Sequence, residues 1–540
     1  MKNHELKEHL EKILRYAGYE FDRFNVFPSM KKEFGDFSTN LLFKIKDPTQ
    51  TKTNTEKIIY LLQQDNWIQE NFEKIEEKNS FINFFLKENI IYSTIPEILS
   101  KKHEYGKSSY GEKKRILVEF VSANPTGPLT IAHGRQAAFG EAISRILSFS
   151  GYQVNKEYYL NDCGRQMELL GISLKAHYLQ INGIPAEIPE DGYHGDYMKD
   201  IAAKLPKGCE NKPNSFFEDF AREEILKTIK KDLKNFSVHF DSWFSEKQLR
   251  LSGKVEKIIE KLRENGYVYQ AEGALWFKST AFGDDKDRVL VKQDRSYTYL
   301  APDIAYHADK IQRGYDILIN LWGPDHAGYV PRIKAAVAAC GFSPEKLHVI
   351  IVQLTTLFRG KEKISMSTRK GQFITLRQLM DEVGPDATKF FFLFRKADSH
   401  LDFDLDLAKK KTEENPVYYI QYAFVRAIHI MMFGKEKGVS EEEIINANFS
   451  LLKEEQELEI LRKLKNFPLT VEQSARTLEV SKIAHYLLEL AGAFHSYYQK
   501  FRVIDEDREI SSARLALVHC FYIVMHNGLE LLGISKPESM

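Results

Sequence analysis

Apolar positions divide the chain into three regimes. Between Leu6 and Leu14 they recur at helical spacing. A second helical stretch follows near Ile58 to Leu62, after Pro28 and a polar segment at 48–54. Residues 1–110 therefore read as a small α/β N-terminal domain. The stretch 101–114, with Gly106, Gly111 and five Lys, holds too few apolar residues for a core element and reads as a linker. Ile116 to Val121 is then a compact buried-strand signal. A Pro/Gly turn runs from Asn124 to Pro128, and Ala137 to Phe149 is a helix stopped by Gly151. Further strands are predicted at Val154 to Tyr159, Ile317 to Trp322 and Leu347 to Gln353, alternating with helices such as Arg332 to Ala339. This alternation predicts an α/β fold, a Rossmann-type parallel-sheet domain over 111–405, with a mostly helical, charged insertion at about 165–290. From 406 to 540 every strong signal is helical, over 417–432, 451–464, 471–502 and 511–532, which predicts a separate all-helical C-terminal domain.

Charge narrows the function classes little: 76 Lys and Arg balance 76 Asp and Glu, so the surface is not uniformly basic, yet local basic patches for a polyanion remain open. The longest apolar stretches, near Ile350 and Phe392, fall short of the ~18 to 20 residues that span a bilayer, so no membrane association is expected. Met1 to Glu5 carries no apolar signal core, and a cytoplasmic location is expected. Cys163, Cys209, Cys340 and Cys520 lie far apart without a Cys-x-x-Cys pair. Neither a disulfide framework nor a structural metal is expected.

Two loops carry chemistry. Ser122-Ala-Asn-Pro-Thr-Gly-Pro-Leu-Thr-Ile-Ala-His-Gly-Arg135 sits where the first strand hands over to its helix, and a helix N-terminus presents unpaired N–H groups suited to phosphate. His133 stands there as a proton-switchable donor; the same pattern also fits a plain strand-to-helix turn with His133 as a cap. Arg359-Gly-Lys-Glu-Lys-Ile-Ser-Met-Ser-Thr-Arg-Lys-Gly371 carries five basic residues in thirteen, able to neutralise charge on a departing pyrophosphate or simply to be solvated surface. An acidic pocket for a guanidinium is also readable. Glu119 ends the first strand beside Asn124, while Tyr299 and Asp303, four apart, share a face if helical, with Pro302 limiting them to a first turn. Glu119 also reads as a strand-end carboxylate and Asp303 as a helix cap. Tyr418, Tyr419, Tyr422 and Phe424 either stack on bases or fill a helical core.

The first loop resembles the first signature of class I aminoacyl-tRNA synthetases in the longer form typical of the arginyl-tRNA synthetases, with Thr130 and Ala132 replacing its first His and its Gly. The second loop is similar to the Lys-Met-Ser-Lys-Ser signature; Met366 and Ser367 survive, while Ser365 and Thr368 replace the lysines, so the charge falls to Lys361, Lys363, Arg369 or Lys370. Stretches at Gly35 to Asn40, Tyr158 to Met167, Trp322 to His326, Asn415 to Tyr422 and Ser512 to Leu515 resemble the family in the same order. The resemblance implies ATP-dependent activation of L-arginine to arginyl-adenylate, then transfer to the 3′-terminal adenosine of tRNA(Arg), with ATP and Mg2+ as companions and a monomeric enzyme. It implies catalytic roles for His133, Gly134, Arg369 and Lys370, and ATP binding by Pro125, Gly127, Thr130, His133, Met366 and Ser367. Arginine falls to Glu119, Asn124, Tyr299, Asp303 and His326. The tRNA falls to Gly35, Asp36, Phe37 and Asn40 in the N-terminal domain and to Tyr422 in the helical one.

Overall fold

The computed structural model describes residues 3–29, 32–46, 52–364 and 374–540. Its centre is a five-stranded parallel sheet of β1 (Arg115–Glu119), β2 (Gln153–Leu160), β3 (Ser242–Ser245), β4 (Ile317–Trp322) and β5 (Leu347–Ile351), in spatial order β5-β4-β1-β2-β3. Successive side chains of a strand point to opposite faces. Ile116 and Val118 accordingly join a core with the helix α1 (Ile131–Phe149), while Leu117 joins a second core with α2 (Leu300–Gln312). The strand order reverses between β1 and β4, and the carboxyl ends of strands at such a reversal form a ligand crevice.

The expected insertion at 165–290 does not simply interrupt the sheet. Ser242–Ser245 re-enters it as edge strand β3, pairing in parallel with β2, and residues 268–291 form a separate three-stranded antiparallel sheet. Four-residue strands are too short to leave a periodic signal. The basic second loop leaves a small sheet of β6 (Thr355–Arg359), β7 (Glu362–Lys363) and β8 (Leu401–Asp404).

The N-terminal unit is a four-stranded antiparallel sheet ordered Val26–Pro28, Phe37–Thr39, Phe81–Leu86, Phe72–Lys78, against which Leu6, Leu10, Leu14, Ile58 and Leu62 are buried. The C-terminal bundle comprises α3 (Pro416–Glu436), α4 (Glu455–Thr477), α5 (Ser481–Lys500) and α6 (Arg508–Leu532). The break expected near 465–470 is absent: α4 runs through Pro468 and stops at Leu478, in the left-handed region at φ 57°. A proline removes one helical N–H, leaving the carbonyl four residues earlier without its donor. Here that carbonyl, Leu464, accepts from the Tyr105 hydroxyl at 3.0 Å.

The same contact corrects the reading of 101–114 as a linker. Tyr105 is buried, its carbonyl and that of Lys102 accept from Asn527 of α6 at 3.0 and 3.2 Å, and Cys520 donates to the carbonyl of Ile95 at 3.7 Å. Tyr105, together with Ile95 and Ile98 just before the segment, fastens it to the bundle. α6 is also long and apolar enough by composition to cross a membrane, contrary to the length reading above, but 78% of its most apolar window is buried inside the fold. It is a core helix of the bundle.

Candidate active site

At the carboxyl ends of β1 and β4 opens a cavity of about 1150 Å³. The turn leaving β1 is strained: Val121 and Ser122 hold φ of 67° and 41°, a region that residues other than glycine rarely occupy, β-branched valine least of all. The strain has a use, because the Ser122 hydroxyl accepts from the Tyr159 amide and donates to Glu119 Oε1, each at 3.1 Å. Beyond it the loop carbonyls of Ala123 and Thr126 accept from Tyr158 and Tyr197 at 2.8 and 2.7 Å.

Thr130 is extended and caps α1, and its amide donates to His133 Nδ1 at 3.2 Å. An Nδ1 that accepts leaves the ring proton on Nε2. Burial pushes the His133 imidazole down to about 4. At neutral pH it offers an uncharged N–H from the wall of the cavity. The proton-switching role expected of it is therefore corrected to that of a fixed dipole.

The acidic end is built from three elements. Asp303 stands in the first turn of α2, four residues after Tyr299, as the spacing predicted, and Pro302 is accommodated there. Its carboxylate accepts from the Tyr329 hydroxyl at 2.7 Å, and burial is the main cause that raises its pKa to about 7, with Glu246 and Glu119 adding to it and Tyr329 opposing. Glu246 follows β3 and is paired with Arg250 at 2.8 Å. The Tyr159 hydroxyl is buried beside Asp303, Glu246 and Glu119, and burial with these carboxylates raises its pKa well above the usual phenol value.

Glu119, Asn124, Gly127, Thr130, His133, Tyr299, Asp303 and His326 thus share one cavity, joined by Glu246, Tyr159, Tyr306 and Tyr329. The sequence reading missed Glu246 because it lies in the supposed insertion. It also missed Lys310, although Tyr299, Asp303, His307 and Lys310 recur at four, four and three residues on one helical face.

Other expected positions lie elsewhere. Pro125 is buried and does not line the cavity. Gly134 faces the core, not the substrates: a Cβ there would lie 2.6 Å from Leu376 Cδ1, so it acts by packing. Met366, Ser367, Arg369 and Lys370 fall outside the described residues. No Lys or Arg among the described residues lines the cavity, and Arg359 is tied to Glu382 at 2.5 Å. In the N-terminal unit Phe37 is core, and Asp36 accepts from the Leu86 amide at 2.8 Å and from Arg462 of α4 at 3.1 Å. Both are corrected from RNA contacts to structural ties, since a buried ring and a committed carboxylate have nothing left to present. Gly35, at φ 70°, lets the chain pass the Phe84 carbonyl, 2.5 Å from where a Cβ would stand. Asn40 accepts from the Asn25 amide at 2.8 Å. Tyr422 is 39% exposed, stacked with Tyr418 at 6.1 Å and overlain by Arg426 at 4.6 Å.

The order of domains meets its counterpart in known proteins. Residues 94–391 match the family of tRNA synthetases class I (R), catalytic domain; 3–86 match the arginyl tRNA synthetase N terminal domain, and 420–540 the DALR anticodon binding domain. The chain belongs to the arginyl-tRNA synthetases. An arginine–tRNA ligase of Shouchella clausii is 44% identical over 521 residues, 94% of this chain and 93% of that one. One from a Geobacter species is 44% identical over 531 residues, 96% of each chain. The solved arginyl-tRNA synthetase of Thermus thermophilus, 20% identical, superposes over the whole of both chains with a TM-score of 0.77 and so shares the fold.

Proposed function

We propose that this synthetase activates L-arginine with ATP to arginyl-adenylate and pyrophosphate, and then transfers the arginyl group to the 3′-terminal adenosine of tRNA(Arg), acting as a cytoplasmic monomer. The observation that carries the reading is the convergence in one cavity of a carboxylate-rich end with the capped N-terminus of α1. A guanidinium brings five N–H donors and a permanent charge, which Asp303, Glu119 and Glu246 answer. The N-terminus of α1 with the Nε2–H of His133 suits phosphate oxygens. Arginine would lie with Glu119, Asn124, Tyr299, Asp303 and His326, and ATP against Gly127, Thr130 and His133.

No side-chain nucleophile is required: the arginine carboxylate attacks the α-phosphate, and rate comes from alignment and from donors aimed at developing charge. As the described lining is acidic and lacks Lys and Arg, cations of the second loop, Lys361, Lys363, Arg369 or Lys370, are left to accompany the leaving pyrophosphate. Mg2+ carried by ATP would neutralise phosphate charge there. The division of labour follows the expected parts 1–110, 111–405 and 406–540, except that Ile95 to Tyr105 go with the bundle and the N-terminal unit ends before them. Outside the catalytic part, the Asn40 surface and the exposed Tyr422 with Arg426 would meet tRNA. Charging of total tRNA with each of the twenty amino acids tests the reading: arginine alone should be attached, and pyrophosphate exchange should require tRNA. Charging with another amino acid, or with none, would refute it.

A further inference from the structure

Lys310 is fully buried and does not reach the cavity, yet its ammonium stands directly behind the wall. It donates to Glu119 Oε2 at 2.5 Å and to Asn320 Oδ1 at 3.0 Å, and lies 4.2 Å from the centre of the Tyr306 ring. Asn320 is the register neighbour of Glu119 across β4 and β1, and its amide is held in turn at 2.9 Å by His307 Nε2, which is available because His307 Nδ1 is occupied by the Asp303 carbonyl at 2.8 Å. Helix packing does not call for a charge here: Ile304, Ala305 and Ala308 of the same helix supply buried apolar surface. A buried ammonium is costly unless fully paired, so its retention asks for a reason.

That reason lies in the crowding of carboxylates. Glu119, Glu246 and Asp303 face one cavity, and their like charges repel one another. Arg250 answers Glu246 and Lys310 answers Glu119, each from the protein side. Asp303 accepts a neutral hydroxyl. Of these three, Asp303 alone is left without a paired cation, one negative charge set opposite one guanidinium.

We infer that Lys310 is a positioning residue for arginine: it fixes Glu119 from behind through Oε2 and, with Ser122 on Oε1, sets the orientation and charge that this carboxylate presents to the substrate. The inference rests on the reading of Glu119 as an arginine ligand. It is separated from that reading by a double-mutant cycle in the full-length enzyme, with KM for arginine, KM for ATP and kcat measured on active-site-titrated protein. Lys310→Met should raise the arginine KM by about 10- to 100-fold while the ATP KM moves by less than about 2-fold, the pattern of lost substrate binding. Lys310→Arg, which keeps the charge, should recover most of that loss. In a Glu119→Gln background Lys310→Met should add nothing, because residues that act through one contact are not additive. Multiplying effects in the double variant, or a normal arginine KM in Lys310→Met beside a raised one in Glu119→Gln, would overturn the inference. A normal arginine KM in Glu119→Gln would instead remove Glu119 from the pocket reading. Should Lys310→Met fail to fold, the double variant, which buries no unpaired charge, carries the test: an arginine KM equal to that of Glu119→Gln supports the inference, and a further rise overturns it.

Discussion

The Leu376 amide donates to the Leu129 carbonyl at 2.8 Å, and Thr130 and Thr375 form an antiparallel bridge beside it. The chain returning from the basic loop is thereby stitched to the residue that caps α1. Gly134 permits this closeness. Gly134→Ala should push Leu376 aside and slow adenylate formation by about tenfold or more, since displacements near 1 Å are costly to aligned reactions. tRNA affinity should stay normal, and Leu376→Ala in the same chain should restore the rate. Pyrophosphate exchange and tRNA binding, measured side by side, decide it.

His133 is expected to stabilise phosphate charge as a neutral donor. His133→Ala should lower the activation rate by roughly 100-fold, the usual loss for one transition-state donor. Because burial pushes its pKa down to about 4, the wild-type rate at saturating arginine should show no histidine titration between pH 6 and 8. An inflection in that window that disappears in His133→Ala would contradict a neutral role.

Asp303 gives arginine binding a pH dependence. Its folded pKa of about 7 means that below pH 7 the empty site is protonated, and a guanidinium must displace that proton. The arginine KM should rise by up to about tenfold for each pH unit below 7 and be level above it. Stability of the empty enzyme has the opposite sign: the unfolded carboxyl ionises near 4 and the folded one near 7, so stability falls as pH rises between them, and arginine restores it. Asp303→Asn should raise the arginine KM by roughly 10- to 100-fold, as loss of a charged hydrogen bond would, and abolish the pH slope. Titration of KM across pH 5.5 to 8.5 reads both.

Much of this was legible in the chain. Strands rich in apolar residues, such as Ile317 to Trp322 with Asn320 alone interrupting, stood out, and the capped helix after Ser122 to Thr130 announced its ligand-facing end. What escaped depended on contacts distant in sequence. Pro468 looks like a helix break until Tyr105 supplies the missing donor, and Asp36 looks like surface until Arg462 reaches it. Glu246 carries no local sign of the pocket, because only the pairing of β3 with β2 brings it there.

The Tyr105 contact can be measured. Tyr105→Phe leaves the Leu464 carbonyl buried without a donor and should cost about 1 to 3 kcal/mol. Arginine and ATP KM values should be unaffected in the folded protein. Denaturant unfolding of the variant beside wild type checks it; equal midpoints would mean that the carbonyl finds another partner.

The N-terminal unit can be removed cleanly only if the cut respects the bundle. Deleting residues 1–86 should raise the tRNA KM by about tenfold or more, on the order of a lost RNA-contacting surface, with arginine and ATP constants little changed. Deleting 1–110 would also strip Ile95, Ile98 and Tyr105 from α6 and should yield aggregating protein. An unchanged tRNA KM after the shorter deletion would exclude the unit from recognition.

The fastening of Ile95 and Tyr105 to α6 also sets a timetable for synthesis. Their partners Cys520 and Asn527 lie 425 and 422 positions later in the chain. At ~5 to 20 residues per second, a ribosome takes about 20 to 80 seconds to reach them. Throughout that interval the first hundred residues present an apolar seam whose cover has not been made, so this stretch is where a chaperone or a protease would first meet the nascent enzyme, and its burial marks the moment the molecule becomes whole.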